Sequence, residues 1–193
     1  MFVVCDKRII DANDNVTVKS YRKSTSAAFV NWNTGDRITD RALFACYATG
    51  MAIIARTDDL KKVCPVPSGC AHDRWFAAAL SALGKPVYLN KPLVSYRRAG
   101  GNVSGVLSGI SSKKSYYTKR ADNSAVITAF ETLFPDYEGL ERIKQCNKAR
   151  MSGNPFGILK HKDLIPDVYK YELALSFCPG FVFPTIRKIL FKG

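Results

Sequence analysis

A histidine, an acid, an arginine and a tryptophan stand in succession at His72-Asp73-Arg74-Trp75, and an aromatic residue followed by two cations stands at Tyr96-Arg97-Arg98. A glycine-bounded run, Asn102-Val103-Ser104-Gly105, comes soon after. A carboxylate held at the start of a helix can accept the proton of an attacking hydroxyl. Guanidinium groups neutralise charge that develops on a leaving phosphate or diphosphate, and an indole offers an apolar face to a sugar ring. Taken together these residue types suit a cleft that handles sugars and phosphates. Asp73 is then the catalytic candidate, and His72, Trp75, Arg97, Arg98, Asn102 and Ser104 are the acceptor- or donor-binding candidates. Each has a plainer use. An acid in a first helical turn complements the helix dipole, and Trp75 shares its helical face with Phe76 and Leu80, as a core anchor would. Adjacent arginines on a strand point to opposite faces, so one of Arg97 and Arg98 faces solvent. The run 102–105 also has the composition of a simple turn.

Positioning these groups falls to a small set of elements. The clearest is a helix over His72–Leu83, with Trp75, Phe76, Ala79, Leu80 and Leu83 on one face and Gly84 and Pro86 as its stop. Residues 2–5 read as a strand, the cluster 11–15 as a turn, and residues 16–18 as the return strand. Residues 24–40 are polar, anchored only by Phe29, Val30 and Trp32, and read as a long loop or a short irregular helix. Residues 51–54 read as a buried strand, and Thr57 as the cap of a helix whose first turn holds Asp58 and Asp59. Residues 87–89 and 93–96 read as two strands or one bent strand. After Gly105 the texture changes: residues 125–133 and 140–151 look helical, and residues 173–190 are apolar but broken by Pro179, Gly180 and Pro184. This order predicts an α/β body over residues 1–107 and a basic helical appendage over residues 108–193.

The chain has 193 residues, of which 47% are hydrophobic and 23% charged, so disordered and low-complexity classes are excluded. Lys and Arg outnumber Asp and Glu by 29 to 16, a formal net charge of +13. Such a surplus favours an anionic partner. Lys113-Lys114 and Lys119-Arg120 flank Tyr116 and Tyr117, but no nucleic-acid motif accompanies them, so nucleic acid is not the expected partner. The mixed apolar and basic run 186–192 instead suits an anionic membrane surface. The six cysteines contain no Cys-x-x-Cys pair, and His72 and His161 are far apart, so no metal site is expected. Without a secretory leader or an apolar run of about 20 residues, the expected place is the cytoplasm, peripheral to the inner face of the plasma membrane, with free thiols.

Five segments in order carry a more specific signal: Thr49-Gly50, His72-Asp73-Arg74-Trp75, Gly84-Lys85-Pro86-Val87-Tyr88, Pro92-Leu93-Val94-Ser95-Tyr96-Arg97 and Asn102-Val103-Ser104-Gly105. In order and spacing they resemble the C-terminal, acceptor-side half of bacterial family 2 glycosyltransferases of the rhamnosyltransferase-like kind. The start, from Cys5-Asp6 through Asn15-Val16, is similar to the family's segment just after its metal-binding strand. The resemblance covers roughly residues 2–107. It implies part of a GT-A, Rossmann-like fold, with Asp73 as general base in transfer from a nucleotide sugar to a saccharide or lipid-linked saccharide acceptor in cell-surface polysaccharide synthesis. In the full family fold an upstream half holds the nucleotide sugar and a divalent ion, Mg or Mn, through an Asp-x-Asp motif. No Asp-x-Asp occurs here, and Ala99 stands where the family commonly has a histidine. This chain alone is therefore expected to bind no cofactor. The alternative is a catalytically inactive basic module that docks on a membrane or on a donor-binding partner, or self-associates through an unpaired sheet edge.

Overall fold

A computed structural model describes residues 2–99 and 110–185. Its sheet is built around β1 (Phe2–Ile10), followed by β2 (Val16–Val18), β3 (Ile53–Ala55) and β4 (Val87–Arg97). β4 runs parallel to β1 along nearly all of it, with Val3 opposite Val87 and Ile10 opposite Arg97. The other side of β1 is shared by two short antiparallel strands. β3 pairs with its first residues, Phe2 to Val4, and β2 with its last, Ile9 and Ile10. Residues 5–8 of β1 therefore have no strand neighbour on that side among the described residues. This gap explains why the strand extends five residues beyond the expected end at Cys5. Asp6, Lys7 and Arg8 are tolerated mid-strand because their polar groups find partners in the gap and on β4 rather than in an apolar layer.

β4 is one strand rather than two. Leu89 lies opposite Cys5 and Pro92 opposite Asp6, so Asn90 and Lys91 form an irregularity that absorbs the expected break. Among the described residues no strand other than β1 pairs with β4, and a proline is tolerated on such an edge because it needs no ladder donor. The expected strand at 51–54 starts later: Gly50–Ala52 is a 3-10 turn and the extended segment begins at Ile53.

The helices are α1 (Tyr21–Ser24), α2 (Thr39–Ala42), α3 (Thr57–Val63), α4 (His72–Leu83), α5 (Lys113–Tyr116), α6 (Ser124–Leu133), α7 (Leu140–Ser152), α8 (Pro155–Lys160) and α9 (Tyr169–Phe177), with a π turn, Tyr117–Ala121, joining α5 to α6. α4 has the bounds its sequence predicts. Thr57, expected to cap α3, is instead its first helical residue. Arg56 occupies the cap position without a side-chain cap bond, and Asp58 and Asp59 supply the N-terminal charge. The junction of α7 and α8 follows local chemistry. Gly153 takes φ 64° to end α7, Asn154 accepts from the N–H groups of Phe156 and Gly157, and Pro155 opens α8.

One hydrophobic core joins the two regions separated at residue 107. Phe2, Val4, Trp32, Trp75 and Leu80 pack in the same cluster as Val126, Phe130, Ile143, Ile158 and Ile165. A smaller cluster holds Ile110, Tyr116, Ala121, Leu175 and Phe183. The long polar segment before α2 is pinned from both sides: the Asp167 carboxylate accepts from Ala28 N at 2.6 Å and Phe29 N at 3.0 Å, and the Trp32 indole donates to Tyr47 O at 3.0 Å. The architecture is thus mixed α/β, with the C-terminal helices packed on the body rather than appended to it. No helix of the described residues is long and apolar enough to cross a membrane.

Candidate functional site

The gap in the β1 ladder opens into a cleft lined by Lys7, Tyr21, Phe29, Cys46, Thr49 and Tyr88, with the buried Asp6 at its base. Asp6 is consumed by the fold. Its Oδ1 accepts from Lys7 N at 2.8 Å and Arg22 N at 3.0 Å, and its Oδ2 accepts from Ser20 Oγ at 2.5 Å. The carboxylate thereby ties α1 to the exposed side of β1. Lys7 points into the cleft. Its Nζ donates to Thr49 Oγ1 at 2.7 Å and lies 4.6 Å from the centre of the Tyr21 ring and 5.1 Å from that of Tyr96. Burial, together with the positive charge of Arg98, holds the ammonium pKa below its ordinary value, against the opposing pull of Cys46, Asp6 and Asp73.

Asp73 sits in the first turn of α4. Its Oδ1 accepts from Arg74 N at 2.8 Å, which fixes its rotamer. Its charge acts on Lys7 and on Cys46, whose thiol donates to Ala48 O at 2.7 Å. His72, one residue earlier, is exposed and turns its ring edge toward Phe76 at 6.3 Å. Its Nε2 occupies the space that a Cβ on Gly50 would need, only 2.5 Å away. The His72 ring thus lies directly over Gly50. Thr49-Gly50 and His72-Asp73, 22 residues apart in the chain, form one wall of the site.

The remaining sequence candidates separate. Arg98 lies with its guanidinium 5.9 Å from the Tyr21 ring centre, and its charge acts on Lys7. Arg97 points elsewhere: it donates to Asp14 Oδ1 at 2.5 Å and to the carbonyls of Asp11 and Ala12, clamping the β1–β2 turn. Trp75 is 2% exposed and its indole donates to Val63 O at 2.7 Å, so it anchors α4 in the core and offers no ring face to a sugar. Asn102 and Ser104 lie outside the described residues, as does the basic run 186–192. Lys7, Tyr21 and Tyr96 are site residues that the sequence reading missed. The only signal for Lys7 was a charge flanked by β-branched runs at Val3-Val4 and Ile9-Ile10.

Arg74 locks α4 from behind. Its guanidinium donates to Leu43 O and Asn123 Oδ1, and burial lowers its pKa to about 10. This contact ties the acid-bearing turn to the segment leading into α6. Among the described residues no three His, Cys, Asp or Glu side chains gather so as to hold a metal ion.

Burial, reinforced by the charge and hydrogen bond of Asp73, pushes the Cys46 thiol to about 12. The thiol is therefore protonated near neutrality and is no nucleophile. Asp73→Asn removes the carboxylate charge that helps to raise this value while leaving burial in place. The thiolate fraction at pH 9 should rise, and alkylation of Cys46 by iodoacetamide, followed on its peptide by mass spectrometry, should accelerate several-fold. An unchanged rate would mean that the two side chains do not meet in solution.

No family model, curated protein or solved structure matches this chain.

Proposed function

We propose that the chain is the acceptor-side portion of a GT-A glycosyltransferase of the family 2 kind, moving a sugar from a nucleotide donor to a saccharide or lipid-linked saccharide in cell-surface polysaccharide synthesis. The observation that carries this is Lys7 in the cleft, bonded to Thr49 and under the charges of both Asp73 and Arg98, with the first turn of α4 set against Gly50 through His72. The parallel pairing of β1 with β4 and the antiparallel β3 are compatible with part of such a sheet. In the reaction, the acceptor hydroxyl oxygen forms a bond to the anomeric carbon as the bond from that carbon to the diphosphate oxygen breaks. The hydroxyl becomes acidic as its new bond forms, and Asp73 takes the proton. Lys7 and Arg98 bring positive charge to the cleft where the departing diphosphate gains negative charge.

The test is acceptor-dependent release of nucleoside diphosphate by the purified chain, supplied with a panel of nucleotide sugars and oligosaccharide acceptors. Release that requires both substrates supports transfer; none above a heat-treated control overturns transfer by this chain alone and leaves the binding-module reading. A second reading, a binding module that docks on a partner, is favoured by the outer edge of β4, which pairs with no strand among the described residues and where Leu89 is 40% and Leu93 59% exposed. Placement at an anionic membrane draws support from Phe177 and Phe181, 73% and 84% exposed, shortly before the basic run 186–192.

A further inference from the structure

Arg74 is a cation drawn out of water with no acid to answer it. Among the described residues no carboxylate lies within ion-pairing distance of its guanidinium, whereas Arg142 and Arg150 each hold an acid at 2.6 Å. Of its three nitrogens only Nη2 donates among the described residues, to Leu43 O and Asn123 Oδ1, and Nε is buried without a partner. Burial holds its pKa at about 10, and the charges of Arg150 and Arg120 push the same way. A buried charge is normally paired, because its lost hydration is otherwise uncompensated.

Arg74 forms one wall of a polar cavity of about 150 Å³. The other walls include Ser68 and Cys70 from the loop before α4, Thr118 from the π turn, and Ser124 and Ala125 from the start of α6. This cavity shares no lining residue with the cleft at Lys7. The bond from Arg74 to Asn123 sets the guanidinium directly at the start of α6. That helix has no acid in its first turn and no cap bond from the Asn123 side chain, and the N–H groups of Ala125 and Val126 have no acceptor among the described residues. A full positive charge and the positive end of a helix therefore border one space. One carboxylate borders it as well, that of Asp122, whose Oδ1 accepts from Ser124 N at 2.8 Å. The space equals the liquid share of a few waters and falls below the roughly 300–1,000 Å³ of sites that enclose larger ligands, so it suits a single small ion.

We infer that this cavity is a second site, taking one small tetrahedral oxyanion, phosphate or sulfate, between the Arg74 guanidinium and the first turn of α6. It lies apart from the cleft of the proposed transferase and stands whether or not transfer occurs. Charge-assisted bonds from the guanidinium give it affinity, and the helix start adds neutral donors of the same sense.

The probe is inorganic phosphate, titrated into the full chain by calorimetry at low salt. Saturable binding is expected, weakened about ten-fold or more by Arg74→Gln, the cost of losing a charge-assisted contact. Cys70 lines the cavity and Cys64 is exposed outside it, so saturating phosphate should slow iodoacetamide alkylation of Cys70 at pH 9 and leave that of Cys64 unchanged. Arg74 ties two segments together, and two further variants keep the test open if Arg74→Gln does not fold. Ala125 is exposed, and Ala125→Glu sets an acid in the first turn of α6, where it favours the helix. That acid repels the anion and should weaken phosphate about ten-fold or more. Asp122→Asn keeps an oxygen for Ser124 N but removes the negative wall, and binding should tighten several-fold. Displacement by glycerol 3-phosphate assigns the site to a phosphorylated ligand, and its failure to displace assigns the site to the free ion. No saturable binding, equal protection of Cys64 and Cys70, or unchanged affinity in a folded Ala125→Glu protein would overturn the site. Binding is read without turnover, so this site and the transferase reading can fail separately.

Discussion

Replacing Glu172 with alanine is expected to cost the fold about 3–5 kcal/mol, the usual range for breaking a buried ion pair from one side. Glu172 is fully buried and Arg150 is 2% exposed. The carboxylate accepts from Arg150 Nε at 2.9 Å, from Nη2 at 2.6 Å and from Tyr116 Oη at 2.7 Å. Removing it strands a guanidinium whose Nη1 already has no hydrogen-bond partner. It also strands the Tyr116 hydroxyl in the smaller core cluster. For a chain of this length each kcal/mol moves the melting temperature by roughly 2–4 °C, so a fall of roughly 10 °C is expected. The penalty comes from the uncompensated charge rather than from lost attraction. The double variant Arg150→Met, Glu172→Leu should therefore be distinctly more stable than Glu172→Ala alone. Urea unfolding of the three proteins checks this. A single variant within 1 kcal/mol of the unaltered chain, or a double variant worse than the single, would refute it.

What the sequence made legible follows from how local each signal is. The helix His72–Leu83 is bounded by its own residues, an acid at one end and Gly84 at the other, and its limits could be read directly. The alternation of Arg97 and Arg98 across a strand predicts different surroundings for the two, and one of them lies beside the Tyr21 ring. Which one depends on the register of β4 against β1 and on Asp14, 83 residues away. Trp75 shows the same limit. A tryptophan beside Phe76 on an amphipathic face fits a core and a sugar platform equally well, and the choice was made by Val63 O, which takes its indole N–H. Lys7 was invisible as a site residue because its role arises from the break between two short strands pairing with opposite ends of β1. No pattern within residues 2–10 encodes that break. Arg150 and Glu172 were hidden likewise: each reads as a surface charge on a helix, and only the packing of α9 on α7 and the π turn buries them together.

Substituting Asp73 by asparagine carries the other large expected effect, a fall of about 10²–10⁴-fold in transfer rate, the range general-base catalysis contributes. This prediction rests on the transferase proposal. The substitution isolates the proton-accepting role because Asn is nearly isosteric with Asp. Its amide oxygen can still accept from Arg74 N as Asp73 Oδ1 does, so the rotamer and the first turn of α4 should be kept. The amide cannot take a proton from an attacking hydroxyl. Acceptor binding should therefore change little, and the loss should appear in kcat rather than in KM. Removing the charge also strips Lys7 of a stabilising neighbour, which lowers the ammonium pKa further and adds no catalytic power. His72→Ala makes the contrast. Its ring is exposed and packs on Gly50 and Phe76, so its loss should disturb the wall of the site by less than ten-fold in rate. Steady-state release of nucleoside diphosphate by the three proteins, with circular dichroism as the check on folding, separates the outcomes. If Asp73→Asn turns over as fast as the unaltered chain, then Asp73 serves only the helix dipole, and the proton must leave the acceptor by another route.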